Sequence, residues 1–450
     1  MFKREILKYL NQWRTKERRK PLIVRGARQV GKTVAVKLFA EEYFENLIVL
    51  NLEKDEIQSF FKQVIPIGEL IQLIQLKTGK KIIPGKTLLF IDEIQNSSIA
   101  MTQLRYLYEE MPNLHVIAAG SLLEIKIKQE GLSIPVGRVE YCYMYPVTFD
   151  EFIKAKKDEE TSNFLASISS DSKISDAVHQ VLSKKYNEYS IVGGMPEAVD
   201  EYIKHSSFIN LDPIYESIIT GYRDDVFKYT SKAKAQYIQH VIENSPIYAG
   251  KIIKYENFGG SGYRSREMKE AFDIAEKAMI VTRVSASASK KSPIIRNLRK
   301  SSKLLFLDTG LVNYRLGVRN EILSNRDLSS IYQGQVAEQI VGQSLQTFTH
   351  LKQLDFAYWY RDRGSSIAEV DYIIPFNQHL VPIEVKSGKS GRLKSLHLFM
   401  AESHQPLAIR MYSGGLKVQR IQTSNTSSFL LLSVPFYLLD RLKSIVGEII

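Results

Sequence analysis

Residues 22–33 read Leu-Ile-Val-Arg-Gly-Ala-Arg-Gln-Val-Gly-Lys-Thr, and this stretch decides the fold. The apolar residues at its start predict a strand, and the residues that follow it predict a helix. The segment between them, residues 26–33, has the pattern GxxxxGK[ST]. Gly26 and Gly31 allow the backbone to curl so that its amides point at phosphate oxygens. The sequence therefore predicts a phosphate-binding loop for ATP or GTP, because an ordinary glycine turn would not need both flanking elements.

The side chains of this loop have distinct predicted roles. Lys32 reaches the β- and γ-phosphates, and the Thr33 hydroxyl ligates Mg²⁺. The helix N-terminus behind the loop adds a dipole that favours anions. The predicted nucleotide-binding residues are Gly26, Ala27, Arg28, Gln29, Val30, Gly31, Lys32 and Thr33.

A second motif supplies the carboxylates. Residues 86–93 form a buried-strand pattern that ends in Asp92 and Glu93. In a parallel sheet, such groups gather at the carboxyl ends of the central strands. Asp92 is predicted to hold the magnesium shell, and Glu93 to orient or deprotonate the attacking water. Together with Lys32, they are the predicted catalytic residues, and a Glu after the Asp favours ATP hydrolysis over a GTP switch.

Strands and helices alternate along this region. Further strands are predicted over residues 47–51, 114–121 and 138–145, which indicates a parallel sheet between two helical layers. Ser121 ends one of these strands on the same edge as Asp92. Its hydroxyl is predicted either to sense the γ-phosphate or to cap a helix.

The N-terminal half resembles the AAA+ P-loop ATPases of the archaeal-type, STAND-like group. The resemblance rests on residues 24–33, 89–95, 119–121, 145–152 and 193–197. It implies an ATPase core over residues 1–152 and a helical lid over residues 153–230. It also implies that Arg138 is a sensor or trans-acting arginine, although a plain surface arginine fits the sequence equally well.

Composition restricts the partners and the compartment. The 450 residues carry a formal charge of +12, which favours polyanions, and we predict DNA as a partner. The single cysteine, Cys142, excludes an internal disulfide and fits a reducing compartment. There is no signal-peptide pattern, and no apolar run reaches the about 20 residues that span a bilayer. We therefore expect a cytoplasmic protein without a membrane partner, and we leave open a homo-oligomer.

The third region, residues 231–318, has the element order of a winged helix. Arg264 and Arg266 lie where a helix could meet a DNA groove. A basic loop would form the wing and contact phosphates. Its predicted contacts are Lys290, Lys291, Arg296, Arg299 and Lys300. A winged helix that serves only for packing or protein contact remains an alternative.

A second set of carboxylates occupies residues 319–450. Glu338 lies near the start of a predicted helix, Asp371 on a strand, and Glu384 and Lys386 on one face of the next strand. Such a set can bind a divalent cation and activate water for attack on a phosphodiester. This order resembles the PD-(D/E)xK, restriction-endonuclease-like superfamily. The resemblance implies Asp371, Glu384 and Lys386 as catalytic residues and Glu338, Asp371 and Glu384 as metal ligands, or else a related fold kept only for binding.

The sequence thus predicts an α/β protein with a P-loop three-layer parallel-sheet ATPase domain, a helical lid, a winged helix and a restriction-endonuclease-like α/β domain. Its predicted function is ATP binding and hydrolysis with Mg²⁺, associated with DNA. Two alternatives stay open. One is a regulatory ATP switch whose C-terminal half binds protein partners, and the other is a nuclease to which ATP only gates access.

Overall fold

A computed structural model describes residues 2–121, 135, 137–228, 230–317, 334–363, 366–388, 392–423 and 428–450. The chain divides into two compact units. The N-terminal unit consists of residues 1–146, 277–279 and 349–353, and the C-terminal unit contains the remaining residues. The predicted domain boundary at residue 318 lies outside the described residues. Within the described ranges, no helix is both long and apolar enough to cross a membrane.

The N-terminal unit is built on a five-stranded sheet in which all neighbours are parallel. Its strands are β1 (Leu22–Arg25), β2 (Asn46–Asn51), β3 (Thr87–Asp92), β4 (His115–Gly120) and β5 (Glu140–Tyr143). The order is β2-β3-β4-β1-β5, so β1 lies between β4 and β5. The parallel α/β sheet predicted for a P-loop domain is therefore confirmed.

Helices connect these strands, because a parallel pair needs a crossover. The connecting helices are α2 (Lys32–Tyr43), α3 (Asp55–Gln58), α4 (Ile67–Thr78) and α5 (Ser98–Glu110), and α1 (Ile6–Arg14) precedes β1. All six residues of β3 and of β4 are buried, as expected for strands covered on both faces. Ile74 and Leu104 pack in the same core as Leu89 of β3. This burial fixes the carboxyl end of β3, where Asp92 lies.

The C-terminal unit contains a mixed sheet of eight strands in the order β14-β15-β13-β12-β11-β10-β7-β8. The strands are β7 (Ala286–Ser287), β8 (Arg296–Asn297), β10 (Ala357–Arg363), β11 (Ser366–Phe376), β12 (His379–Val385), β13 (Leu407–Tyr412), β14 (Lys417–Gln422) and β15 (Ser428–Pro435). Strands β10, β11 and β12 run antiparallel, whereas β12 and β13 are parallel. Trp359 packs edge-on against Phe399, with ring centroids 5.2 Å apart, in the core beneath this sheet.

Two short strands, β6 (Val281–Val284) and β9 (Lys303–Phe306), form a separate antiparallel pair. The helices of the unit are α6 (Phe149–Ala155), α7 (Glu159–Ser167), α8 (Asp176–Val192), α9 (Pro196–His205), α10 (Leu211–Asp225), α11 (Lys232–Asn244), α12 (Ser265–Lys277), α13 (Thr309–Leu316), α14 (Gln335–Gln346), α15 (Lys394–Ser403) and α16 (Leu442–Gly447). Short 3₁₀ segments cover Ser59–Phe61, Ile94–Asn96, Val226–Lys228, Ser245–Tyr248, Phe258–Gly260 and Phe436–Arg441.

The elements α11, α12, β6 and β9 occur in this order along the chain, with β7 and β8 between the last two, and the winged helix stays a prediction. The basic loop between β6 and β9 differs from a wing extended into solvent, because its β7–β8 hairpin joins the eight-stranded sheet through β10. Lys290 pairs with Glu402 at 2.7 Å, and Arg296 pairs with Asp355 at 2.7 Å. These two predicted phosphate contacts are thus already opposed by carboxylates.

A buried clasp ties distant parts of the C-terminal unit. Asp308 accepts hydrogen bonds from the amides of Gly194 at 2.5 Å and Gly310 at 2.9 Å. A Cβ on Gly193, where φ is +68°, would lie 2.3 Å from Asp308 Oδ1 and 2.4 Å from the Gly310 nitrogen. Only glycine fits there, because the two backbones approach too closely for a side chain.

Candidate functional site: the P-loop and a carboxylate cluster

The loop after β1 curls as its glycines predict. Gly31 has φ +93° and Gln29 has φ +64°, and both lie in the left-handed region. Gly26 is required for a different reason, which is the close approach of another segment. A Cβ there would lie 2.4 Å from the Met144 carbonyl oxygen. The loop is thus packed tightly on one side and curled on the other, which is the geometry of a phosphate cradle.

Lys32 is buried at the start of α2, with 7% of its surface exposed. Its ammonium donates to the carbonyl oxygens of Gly26 at 3.0 Å and Ala27 at 2.8 Å. Burial lowers the pKa of Lys32 to about 8, although Glu93 and Asp92 act in the opposite direction. A buried ammonium whose direct acceptors are carbonyl groups is well suited to an incoming phosphate.

One hydrogen bond joins the two predicted motifs. The Thr33 hydroxyl donates to Asp92 Oδ2 at 2.8 Å, across 59 residues of sequence. Burial raises the pKa of Asp92, and the bond from Thr33 partly opposes that shift. A hydroxyl and a carboxylate in contact are suitable ligands for Mg²⁺, the first directly and the second through its hydration shell. The residues present therefore fit the predicted metal.

Glu93 lies directly after β3 in the left-handed region, with φ +54°. Gln95, which the sequence analysis did not single out, donates to Glu93 Oε2 through its side-chain amide. Gln95 is buried, and a Cβ on Gly120 would meet its Oε1 at 2.4 Å. Gln95 thus positions Glu93. Its place two residues after the carboxylate pair was the only available signal.

Arg4 is a second residue that the sequence analysis missed. Its guanidinium donates to the carbonyl oxygens of Val30 at 3.0 Å and Tyr145 at 2.7 Å. Arg4 therefore links the P-loop, through Val30, to the segment that contains Tyr145. In the sequence, a basic N-terminal segment with a structural role cannot be distinguished from one that is exposed to solvent, so no pattern indicated this role.

The remaining predicted residues of the N-terminal unit have clear positions. Ser121 is buried and follows β4, beside the strand that ends at Asp92. Arg138 pairs with Glu109 at 2.7 Å on the surface of the same unit. Arg28 lies 3.5 Å from Glu53. The sensor and trans-acting roles of Ser121 and Arg138 stay predictions.

In the C-terminal unit, the structure brings the predicted acids together. The β11–β12 pairing matches Tyr372 with Ile383, and the next position in this register places Asp371 opposite Glu384. The Val385 amide donates to Asp371 Oδ2 at 2.7 Å. Because opposite residues of an antiparallel pair share one face, both carboxylates lie on the same side of the sheet.

Lys386 donates to Glu384 Oε1 at 2.7 Å. Glu384 is 6% exposed, and its Oε2 is buried without a hydrogen-bond partner. Burial, followed by the charge of Asp371, raises the pKa of Glu384 to about 7, against the effect of Lys386. An unpartnered buried carboxylate oxygen is costly, which indicates a place for a ligand.

Glu338 lies in the first turn of α14, and its partner is a residue that the sequence analysis did not select. Lys303 of β9 donates to Glu338 Oε2 at 2.6 Å. The same ammonium lies 3.3 Å from Glu369 and 3.5 Å from Asp371. Burial and the Asp371 charge raise the pKa of Glu338 to about 7 despite Lys303.

These residues test the predicted metal set. Over the described parts of the chain, no group of three His, Cys, Asp or Glu side chains could hold a metal ion. Glu338 is instead paired with an ammonium, and the oxygens suited to a cation belong to Asp371 and Glu384. The metal-ligand roles of Glu338, Asp371 and Glu384 therefore stay predictions.

Comparison with known proteins assigns the first segment. The family model of an AAA domain matches residues 18–153. This segment is therefore similar to AAA domains. Models of two domains of unknown function match residues 183–322 (DUF8612) and 333–427 (DUF4143). The descriptions of these two families assign no function to the C-terminal unit.

Solved structures overlap only weakly with the whole chain. The Thermotoga maritima RuvB Holliday junction branch migration motor is 18% identical, over 66% of this chain and 93% of its own, with a TM-score of 0.27. The Aeropyrum pernix Orc1 protein in complex with DNA is 12% identical, over 71% and 91%, with a TM-score of 0.27. Overlap at this level supports no conclusion about function. No curated protein matches the chain.

Proposed function

We propose that this protein is an AAA+ ATPase that binds and hydrolyses ATP with Mg²⁺ and acts in association with DNA. The hydrogen bond between Thr33 and Asp92, 2.8 Å long, carries the ATPase part, because it links the phosphate loop to the carboxylate edge. Mg²⁺ would supply charge neutralisation at the phosphate oxygens. Thr33 and Asp92 would hold the ion.

The other residues divide the remaining work. Lys32 exchanges its two carbonyl contacts for the β- and γ-phosphates, and its charge stabilises the developing negative charge. Glu93 orients or deprotonates the attacking water, and Gln95 holds it in place. This arrangement resembles the general plan of P-loop hydrolases.

The first experiment measures steady-state ATP turnover by the full chain with Mg²⁺, alone and with duplex, single-stranded and branched DNA. We expect basal turnover that rises with one of these DNA forms. Absence of turnover under every condition would contradict the ATPase proposal. Turnover that no DNA changes would favour the alternative of a regulatory switch whose C-terminal half binds protein partners.

Charge supports the association with DNA. The chain carries +12 overall, and Arg264 and Arg266 are exposed at the start of α12. Lys291 and Arg299 are exposed near β8. These four side chains are the proposed phosphate contacts, and Arg266 also lies 3.8 Å from Glu270. A homo-oligomer stays a proposal that a mass measurement with and without ATP would test. A role of Arg138 in a neighbouring protomer stays a proposal that depends on that oligomer.

A nuclease-like module in the C-terminal unit is a second candidate function. The observation that favours it is the convergence of Asp371, Glu384 and Lys386 on one face of the sheet. Asp371 and Glu384 would hold a divalent cation, which supplies Lewis acidity toward a phosphodiester. Lys386 would stabilise the charge that develops during attack.

Cleavage of DNA or RNA with Mn²⁺ or Mg²⁺ tests this candidate. We expect Asp371→Ala to abolish cleavage and to leave ATP turnover unchanged, because the two sites lie in different compact units. Glu197→Ala, at an exposed acid of the C-terminal unit, is the matched control. If the wild type cleaves no substrate, the nuclease candidate is contradicted, and the alternative of a related fold kept only for binding is favoured.

A further inference from the structure

Lys303 is a cation enclosed by acids. It is 1% exposed, yet its pKa lies well above the ordinary value, because Asp371 and Glu338 outweigh the effect of burial. Its ammonium reaches Glu338 at 2.6 Å, Glu369 at 3.3 Å and Asp371 at 3.5 Å. Three carboxylates from a helix and a strand thus meet at one nitrogen.

Aromatic rings enclose the same nitrogen. The rings of Tyr358 and Tyr372 lie 5.7 Å and 5.1 Å from Lys303 Nζ, within the range of cation–π attraction. The Tyr372 hydroxyl donates to the Glu338 backbone carbonyl at 2.7 Å, which ties the strand to the start of α14. The ammonium therefore has a built pocket and does not pair by chance on a surface.

The position of Lys303 bears on any divalent ion. A divalent ion bound to these carboxylates would lie close to the Lys303 ammonium. The two cations would repel each other. Glu384 is the one acid of the cluster that Lys303 does not contact directly, and its Oε2 is the unpartnered oxygen. Geometry thus separates Glu338 and Glu369, which lie on the lysine side, from Glu384. Asp371 lies between them, with Oδ1 toward Lys303 and Oδ2 accepting from the Val385 amide.

We propose that Lys303 is a resident cation, which takes the place of a divalent ion among Glu338, Glu369 and Asp371. It assembles the cluster without metal and removes Glu338 from the set of metal ligands. Any divalent ion is restricted to the side of Asp371 and Glu384. The inference concerns the same cluster as the nuclease-like candidate, but it does not depend on cleavage.

The test is Mn²⁺ binding to the nucleotide-free full chain, measured by electron paramagnetic resonance. Asp92→Asn serves as the control for Mn²⁺ at the P-loop. We expect Lys303→Met to raise Mn²⁺ affinity about tenfold or more, because three carboxylates become available as ligands. Adding Glu338→Gln to Lys303→Met should remove the gain. Lys303→Arg, which keeps the charge, should show no gain.

The variant Glu338→Gln in the presence of Lys303 keeps the proposal testable if Lys303→Met does not fold. We expect Mn²⁺ affinity to stay within about twofold of the wild type, because Glu338 is not a ligand while Lys303 is present. A fall of about tenfold or more would overturn the proposal, because it would show that Glu338 supports Mn²⁺ binding while Lys303 is present. A folded Lys303→Met protein without a gain in affinity would also overturn it. Failure of Asp371→Ala to change cleavage would instead count only against the nuclease candidate.

Discussion

Two buried lysines, Lys32 in the P-loop and Lys303 in the C-terminal cluster, differ in their partners. Both are less than a tenth exposed. Lys32 contacts two carbonyl oxygens, and burial lowers its pKa to about 8. Lys303 contacts three carboxylates, and its pKa is raised well above the ordinary value. The difference shows that burial alone does not decide the charge of a lysine, because the charge of its neighbours can reverse the effect.

Lys32 lies at a site predicted to bind an anion. Lys303 lies at a site that already contains its counter-ions. In the proposed function, the P-loop lysine gains its full set of partners only when a phosphate binds. The cluster lysine has its partners in the folded chain. We therefore expect substitutions of Lys32 to affect nucleotide chemistry and substitutions of Lys303 to affect folding.

The largest expected effect is that of Lys32→Ala on ATP turnover. Loss of the ammonium removes the counter-charge of the β- and γ-phosphates, so turnover should fall on the order of a thousandfold and ATP binding should weaken. Steady-state phosphate release and ATP titration measure the two effects. Lys37→Ala, at an exposed lysine of the same helix, should behave as the wild type. Equal turnover in both variants would exclude Lys32 from catalysis.

Lys303→Met should destabilise the protein strongly. It leaves the half-buried carboxylates of Glu338, Glu369 and Asp371 beside each other without a cation, so the free energy of unfolding should fall by about 1 to 3 kcal/mol. Denaturant unfolding measures the loss. Lys32→Met should leave stability unchanged or raise it, because the folded protein disfavours the charge of Lys32. Equal losses in the two variants would remove the distinction drawn between the two lysines.

Glu93→Gln should preserve ATP binding and lower turnover about a hundredfold, since only the carboxylate that orients water is lost. Single-turnover hydrolysis together with ATP titration separates the two quantities. Glu41→Gln, at an exposed acid of α2, is the control. Normal turnover in Glu93→Gln would assign the water to another group.

ATP affinity should weaken by about tenfold between pH 7.5 and pH 9. The sign follows from the pKa of about 8 for Lys32 in the nucleotide-free protein. Above that pH the lysine is increasingly neutral, and phosphate binding must first restore its proton. Calorimetry in buffers of different ionisation enthalpy should show proton uptake at pH 9. Lys32→Arg, which stays charged, should flatten this pH dependence.

The smallest expected effect concerns DNA. Lys291→Ala and Arg299→Ala should each weaken DNA binding about two- to fivefold at low salt, because each removes a phosphate contact. Lys290→Ala and Arg296→Ala should have less effect, since carboxylates already oppose these cations. Affinity should also fall steeply with salt. A flat salt response, or the reverse order of the variants, would contradict the proposed contacts.

The sequence predicted those features that depend on local patterns or on sheet topology. The loop over residues 26–33 has its strand and its helix, and Asp92 meets Thr33 because both lie at the carboxyl edge of one parallel sheet. Asp371 and Glu384 could be predicted to lie together because side chains alternate between the two faces of each strand of a hairpin.

The sequence did not predict contacts between distant elements. Lys303 belongs to a basic stretch, and its partners Glu338 and Asp371 lie 35 and 68 residues away. Nothing in the spacing indicates that β9 passes beneath α14. The ion pairs of the basic loop could not be predicted for the same reason. Only the eight-stranded sheet brings Asp355 to Arg296 and Glu402 to Lys290. Arg4 is a third case, since its acceptors are backbone carbonyls.

The clasp around Asp308 limits how the chain can be divided. The Gly194 amide and its acceptor are separated by 114 residues. A fragment that ends at residue 230 retains Gly193 and Gly194 but lacks the carboxylate that receives them. We therefore expect the predicted lid to be unstable when expressed alone. On the ribosome, the same contact remains unmade until residue 310 has left the exit tunnel, so the C-terminal unit should complete its folding late in synthesis.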